Sequence, residues 1–275
     1  MAPSSKLGLG GGPLGDAALD DAAAARLIAV ALDLGVGVID TAPSYGASED
    51  RLGRHLGPRR RDVALVTKVG YGVPGHADWT GPCVALGIDR ALGRLRTDHL
   101  DAVLLHSCPA AVALRDDIVG ALVAARDAGK VRAIGYSGDN VDLDAAVWSG
   151  LFGVVETSVS VVDQRALGAL RPGVRTLAKR PLANAPWRDA TLPDAPDRRI
   201  YVERWRAMAL SLTPAEVLRF AAYAPGVDTA LVGTASEDHL RAAASAVAAG
   251  PLPDAVVAEI RARFAAVGFD WPGVI

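Results

Sequence analysis

The chain has 275 residues, 51% of them apolar, and a formal charge of −2, with 25 Arg but only four Lys. That is ample apolar material for a core and no basic field to draw nucleic acid or an anionic membrane surface. Cys83 and Cys108 are the only cysteines, too few for a disulfide framework or a zinc cluster, so no metal and a reducing compartment, the cytoplasm, are expected. The opening residues 1–8 lack a basic stretch followed by an apolar one, so no signal peptide is read there. No run reaches the roughly 18 apolar residues of a membrane span.

In chain order, short apolar runs alternate with helical patterns. Residues 7–10 fit a brief first strand, followed by a glycine cluster and a helix over 18–34. Strands are predicted at 36–40, 63–68, 100–106, 131–137, 152–157, 174–179 and 229–233. Helical periodicity occupies 48–56, 83–95, 111–128, 143–149, 213–222 and 236–248 between them. Several strands are apolar at consecutive positions, as strands covered on both faces should be. Thr213-Pro-Ala-Glu216 is a helix start with an N-cap, Pro at the first position and Glu at the third. Gly129 reads as a helix C-cap. Residues 182–199, with three prolines, read as a long loop after the seventh strand, and 254–267 as a final helix outside the sheet. Eight strand–helix units imply a parallel sheet, and the length suits an α/β fold of the (β/α)₈ TIM-barrel type, a single domain over 1–275.

A competing outline sits at the start. Gly10-Gly-Gly12-Pro-Leu-Gly15 fits G-x-G-x-x-G, and Asp40 ends the next strand, as in a Rossmann unit. The strand before the glycines is very short, and Asp40 lies 25 residues past Gly15, against the usual 20 or so.

Asp40 and the following Thr-Ala-Pro-Ser-Tyr45-Gly46 come directly after the second strand, Lys68 ends the third, and His106 ends the fourth. Strands of a barrel point the same way, so these groups meet at one mouth. Taken singly, Asp40 is explained as a cap, Tyr45 as a loop aromatic, Lys68 as a snorkelling strand end and His106 as a core histidine. The four together point to carbonyl reduction, in which hydride delivery makes an alkoxide that needs a proton. Tyr45 would be the acid. Lys68, held charged by Asp40, would lower the tyrosine from its usual value near 10, and His106 would orient the carbonyl.

Asp-x₄-Tyr-Gly with Ser48-Glu49 soon after, then Thr-Lys68, then Leu-Leu-His106, resembles the aldo-keto reductase family in order and spacing, and the resemblance runs to Gly233-Thr-Ala-Ser-Glu-Asp-His239. It implies a (β/α)₈ barrel that binds NADPH, with NADH possible, in an extended form, and Asp40, Tyr45, Lys68 and His106 as the catalytic tetrad. It implies that the early glycines form a hairpin floor instead of a phosphate loop. The family's Ser-Asn after the fifth strand is Ser137-Gly138 here, its Gln in the sixth strand is Glu156, and its nicotinamide-stacking aromatic is Lys179, before Arg-Pro-Leu182. A Lys179–Glu156 ion pair is expected across the two strands. Gly233, Thr234, Ser236 and His239 stand where the family grips the 2′-phosphate; Arg241 is the nearest other basic residue, and Ala243 replaces an adenine-contacting Asn. Tyr71, Trp79 and Trp187 would wall an apolar pocket for a small-molecule carbonyl substrate, with Cys108 near the mouth. Alternatives are an NAD-dependent sugar or alcohol dehydrogenase with the same tetrad, a nucleotide-binding regulatory protein with little turnover, and a barrel lyase or isomerase. Oligomeric state is not set by these residues.

Overall fold

The computed structural model describes residues 5–274; residues 1–4, part of the stretch read for a signal peptide, lie outside the described residues. Eight parallel strands pair in chain order and the eighth pairs with the first, closing a barrel. They are β1 (Leu7–Gly10), β2 (Val38–Asp40), β3 (Ala64–Val69), β4 (Leu100–His106), β5 (Val131–Ser137), β6 (Val154–Ser158), β7 (Arg175–Lys179) and β8 (Thr229–Gly233). The Rossmann outline fails here, because β1 pairs with both β2 and β8 in a closed sheet instead of opening an edge.

Alternation along each strand explains where polar residues end up. Val38, Ala64, Val66, Ala102, Leu104, Val154, Leu177 and Leu231 form one buried cluster filling the barrel. Two residues beyond its members on the same strands come Asp40, Lys68, His106, Glu156, Lys179 and Gly233, and a side-chain period of two puts them on the same inner face at the C-terminal rim. The outward set, including Ile39, Leu65, Val103, Leu105 and Ile134, packs under the helices.

Helices α1 (Asp21–Asp33), α2 (Ser48–His55) and α3 (Gly81–Leu95) follow the first three strands. The stretch read as one helix over 111–128 is two: α4 (Ala110–Ala113) and α5 (Asp116–Asp127). Arg115 is extended between them, and Asp116 and Asp117 charge the first turn of α5, where acids favour a helix start. After α6 (Asn140–Trp148), the loop predicted over 182–199 gives way at Pro196 to a helix absent from the sequence reading, α7 (Pro196–Met208). Its sequence is largely polar, so periodicity hid it. It is buried by Tyr201, Val202 and Met208 and by Arg204, which lies over the Trp271 ring and donates to the Pro272 carbonyl. Next come α8 (Pro214–Ala222), with the expected Thr213/Glu216 capping box, α9 (Glu237–Ala248) and α10 (Asp254–Val267), whose Ile260 and Phe264 pack with Tyr201 and Met208.

The glycines after β1 form no hairpin; they run into a 3₁₀ turn, Pro13–Gly15, and Gly11 N–H donates to the Asp40 carbonyl. A β-carbon on Gly15 would lie 1.5 Å from the Tyr45 carbonyl oxygen, so glycine is needed for this crossing of two backbones. Gly15→Ala is expected to push the Tyr45 loop outward and cost about 1–3 kcal/mol, as overpacking does. Thermal denaturation checks this, and an unchanged melting temperature would show that the contact is soft.

Candidate active site

Lys68 is fully buried at the end of β3, and its Nζ donates to both carboxylate oxygens of Asp40 at 2.5 and 2.6 Å and to the Thr41 carbonyl at 3.2 Å. A second carboxylate, Glu156 on β6, stands 3.2 Å away. Burial works against the ammonium, but the Asp40 and Glu156 charges outweigh it and hold Lys68 above its ordinary value. Two buried carboxylates share this one cation. Burial and repulsion from Glu156 therefore keep Asp40 well above the usual carboxylate range, while at Glu156 the Lys68 and Lys179 charges overcome burial and keep it below.

The predicted Lys179–Glu156 pair does not form. Lys179 pairs with Asp139 at 3.0 Å, and Glu156 is taken by Lys68. Asp139, which sequence reasoning missed, is a buried hub just past β5: it accepts from the Thr157 hydroxyl at 2.7 Å and the Ser158 N–H at 2.8 Å. Following Ser137-Gly138, it carries no motif signal of its own. The Ser137 hydroxyl donates to one Glu156 oxygen at 3.3 Å, while the other, the one that faces Lys68 at 3.2 Å, makes no hydrogen bond among the described residues.

Tyr45 hangs over this cluster, its ring centroid 5.0 Å from Lys68 Nζ. Its loop is tied down from below: the Thr41 hydroxyl donates to Ser48 Oγ at 2.8 Å, and Glu49 accepts from Thr67 at 2.6 Å and Arg94 at 2.5 Å. The Ser-Glu pair after Tyr-Gly thus anchors the loop. The expected lowering of the Tyr45 pKa is not what the site produces. Burial pushes it up to about 12; Lys68 opposes this, but Asp40 and Glu156 reinforce it. The lysine's field is largely spent on its two carboxylates, so Tyr45 holds its proton firmly at neutral pH.

His106 lies edge-on to Tyr45, ring centroids 6.0 Å apart, and its Nδ1 is 3.0 Å from the Tyr71 hydroxyl. Burial, then the Lys68 charge, bring its pKa down to about 4, so the imidazole is neutral.

Asp40, Tyr45, His106, Ser137, Glu156 and Lys179 line one end of a cavity of about 1210 Å³. Leu182, Gly233, Thr234 and His239 line it further along, where α9 begins. Lys68 sits beneath the floor and touches the cavity only through its partners. Ser236 does not line it; its oxygen caps α9 by accepting the His239 N–H, and Ser236 N–H donates to Thr234 Oγ1. Of the aromatics, Tyr71 and Trp187 reach the cavity, whereas Trp79 packs behind Tyr71 and Cys108 is buried away from it. Sequence reasoning also missed Arg188. The turn Pro186–Arg188 brings its guanidinium 3.2 Å from His239 Nε2, on the cavity wall.

Residues 6–162 match the model of the aldo/keto reductase family. An aldo-keto reductase of Mycobacterium ulcerans is 35% identical over 127 residues, 45% of this chain and 43% of that protein. Aldo-keto reductase YhdN of Bacillus subtilis is 29% identical over 155 residues, 50% of this chain and 45% of its own. The matched stretch spans less than half the length of these curated relatives. Among solved structures, an aldo-keto reductase from Klebsiella pneumoniae in complex with NADPH superposes with a TM-score of 0.71 at 26% identity, covering 95% of this chain and 91% of that one. The holo form of an aldo-keto reductase from Bacillus halodurans reaches 0.80 at 24% identity over 94% and 92%, a likeness of fold. The half of the barrel that carries Asp40, Tyr45, Lys68 and His106 is the half the family model matches, and the chain belongs to the aldo/keto reductase family.

Proposed function

We propose that residues 1–275 act as one barrel domain, an NADPH-dependent reductase of small-molecule aldehydes or ketones, working in the reducing environment of the cytoplasm. The observation that carries the reading is the buried Asp40–Lys68 pair directly beneath a protonated Tyr45 at the cavity end. Cys83 and Cys108, both free and buried, suit such a compartment.

The residues present fit the cofactor. Glu156 Oε2, which makes no hydrogen bond beside its 3.2 Å ion pair with Lys68, and the Ser137 hydroxyl suit a carboxamide, with Glu156 accepting from its NH₂ group. At the other end, the N-terminus of α9, Thr234, His239 and Arg188 suit a phosphate. NADPH, when bound, supplies the hydride. Tyr45 gives its proton to the oxygen that becomes the alcohol, and Lys68 stabilises the phenolate left behind. Asp40 and Glu156 fix Lys68, and neutral His106 offers a hydrogen bond to the carbonyl oxygen.

A panel of aldehydes and ketones with NADPH, followed by loss of the reduced-cofactor absorbance, tests this. Consumption that depends on protein and carbonyl is expected, and its absence across the panel would refute the reading. Arg188→Ala is expected to weaken NADPH binding about tenfold, the worth of a charge-assisted phosphate contact, and to leave NADH binding unchanged. Equal losses for both dinucleotides would remove Arg188 from the 2′-phosphate.

A further inference from the structure

The loop after β3 is shaped to hold one side chain. Gly70 has φ +132°, and a β-carbon there would lie 2.0 Å from the Trp79 ring. Trp79 N–H donates back to the Gly70 carbonyl at 2.6 Å, and Gly72 N–H donates to Asp78 at 2.9 Å. Between these ties, Tyr71 is clamped with Trp79 on one side, at 5.5 Å, and His106 stacked on the other, also at 5.5 Å with 28° between the planes. Its hydroxyl meets His106 Nδ1 at 3.0 Å, the one hydrogen bond either side chain makes among the described residues.

We propose that Tyr71 is a positioning residue that sets the tautomer of His106: the Tyr71 O–H donates to Nδ1, so the ring proton resides on Nε2, the nitrogen left to donate to a substrate oxygen. The last step rests on the reductase reading; the tautomer does not. A neutral imidazole has one N–H and one lone pair. A phenol is a better donor than acceptor, and an imidazole lone pair is a better acceptor than a phenol oxygen, so the pair is strongest with the proton on Tyr71. Burial and the Lys68 charge keep the ring neutral, so the choice of nitrogen is real at pH 7. With the opposite tautomer Nε2 would be an acceptor and would repel a carbonyl oxygen. Stacking alone would fix the plane of the ring but not which nitrogen carries the proton.

Nitrogen NMR of the full chain labelled with ¹⁵N-histidine, free of ligand at pH 7, reads this directly, with the His106 signals assigned by their loss in His106→Gln. The expected result is a protonated Nε2 and an Nδ1 that resonates as a hydrogen-bonded acceptor. Tyr71→Phe keeps the ring and the stack. It is expected to shift the Nδ1 signal and to lower kcat about tenfold, the worth of one ordinary hydrogen bond, with the dissociation constant of NADPH unchanged. A proton on Nδ1 in the wild type, or an Nδ1 signal unmoved in Tyr71→Phe, overturns the assignment. Because the tautomer is read without cofactor, it supports or overturns the assignment even where no carbonyl is reduced; absent turnover counts against the reductase reading alone.

Discussion

Tyr45→Phe is expected to lower kcat for carbonyl reduction by about 10²–10⁴-fold while NADPH binds as in the wild type. The variant keeps the ring that lies over Lys68 and loses only the hydroxyl proton. The wild-type pH profile follows from the same residue. Burial holds the phenol protonated up to about pH 12, so reduction should show no alkaline loss from Tyr45 across the neutral range. The reverse oxidation needs the phenolate and should climb steadily with pH. Glu156→Gln removes one of the charges that raise Tyr45, and should bring that climb to lower pH. Reduction by Tyr45→Phe at the wild-type rate would show that the proton comes from elsewhere, with Lys68 or a water chain as the candidates.

Lys68→Met is expected to be the most destabilising single change at the site. The substitution matches the lysine stem but leaves Asp40 buried without its cation and Glu156 with only the Lys179 charge to oppose its burial. Removing one partner of a buried ion pair typically costs about 3–5 kcal/mol. The loss depends on pH, with a definite sign. Without Lys68 both carboxylates have folded-state pKa values above their unfolded values near 4, so the folded state keeps protons that the unfolded state releases as pH rises. The deficit should therefore be small at about pH 4 and grow toward pH 8, the range over which the unfolded carboxylates ionise first. Adding Glu156→Gln should recover part of it at pH 8 by leaving one charge to bury in place of two. Chemical denaturation at the two pH values checks both statements. A deficit independent of pH would mean that lost packing, and not electrostatics, is what Lys68 contributes.

Much of the site was legible because a barrel strand is a ruler. Once β2, β3 and β4 are placed, a period of two and a common direction bring Asp40, Lys68 and His106 to one rim. Glu156 and Lys179 were placed at that rim by the same rule, but their partners were not. Lys179 turns to Asp139 because Asp139 already collects the Thr157 and Ser158 donors on the neighbouring strand, and Glu156 leans inward to Lys68. Strand pattern says which face a residue occupies and not which of several charges it meets. The direction of the Tyr45 shift failed for a related reason: one cation was seen in the sequence, and how completely two buried acids use up its field is a property of the packed site. Arg188 was invisible because it comes from a loop whose path depends on α7, and α7 is held by contacts of Arg204 and Tyr201 that its polar sequence does not advertise.

The most direct test of the account is titration of the purified chain with NADPH and NADH, following quenching of its five tryptophans, of which Trp187 lines the cavity. Micromolar binding of NADPH, tighter than that of NADH, is the predicted result, with Glu156, Ser137 and Arg188 taking the two ends of the cofactor. Failure of both dinucleotides to bind would mean that Gly138, Glu156 and Lys179 have closed this barrel to the nicotinamide cofactor, and would contradict the reductase assignment.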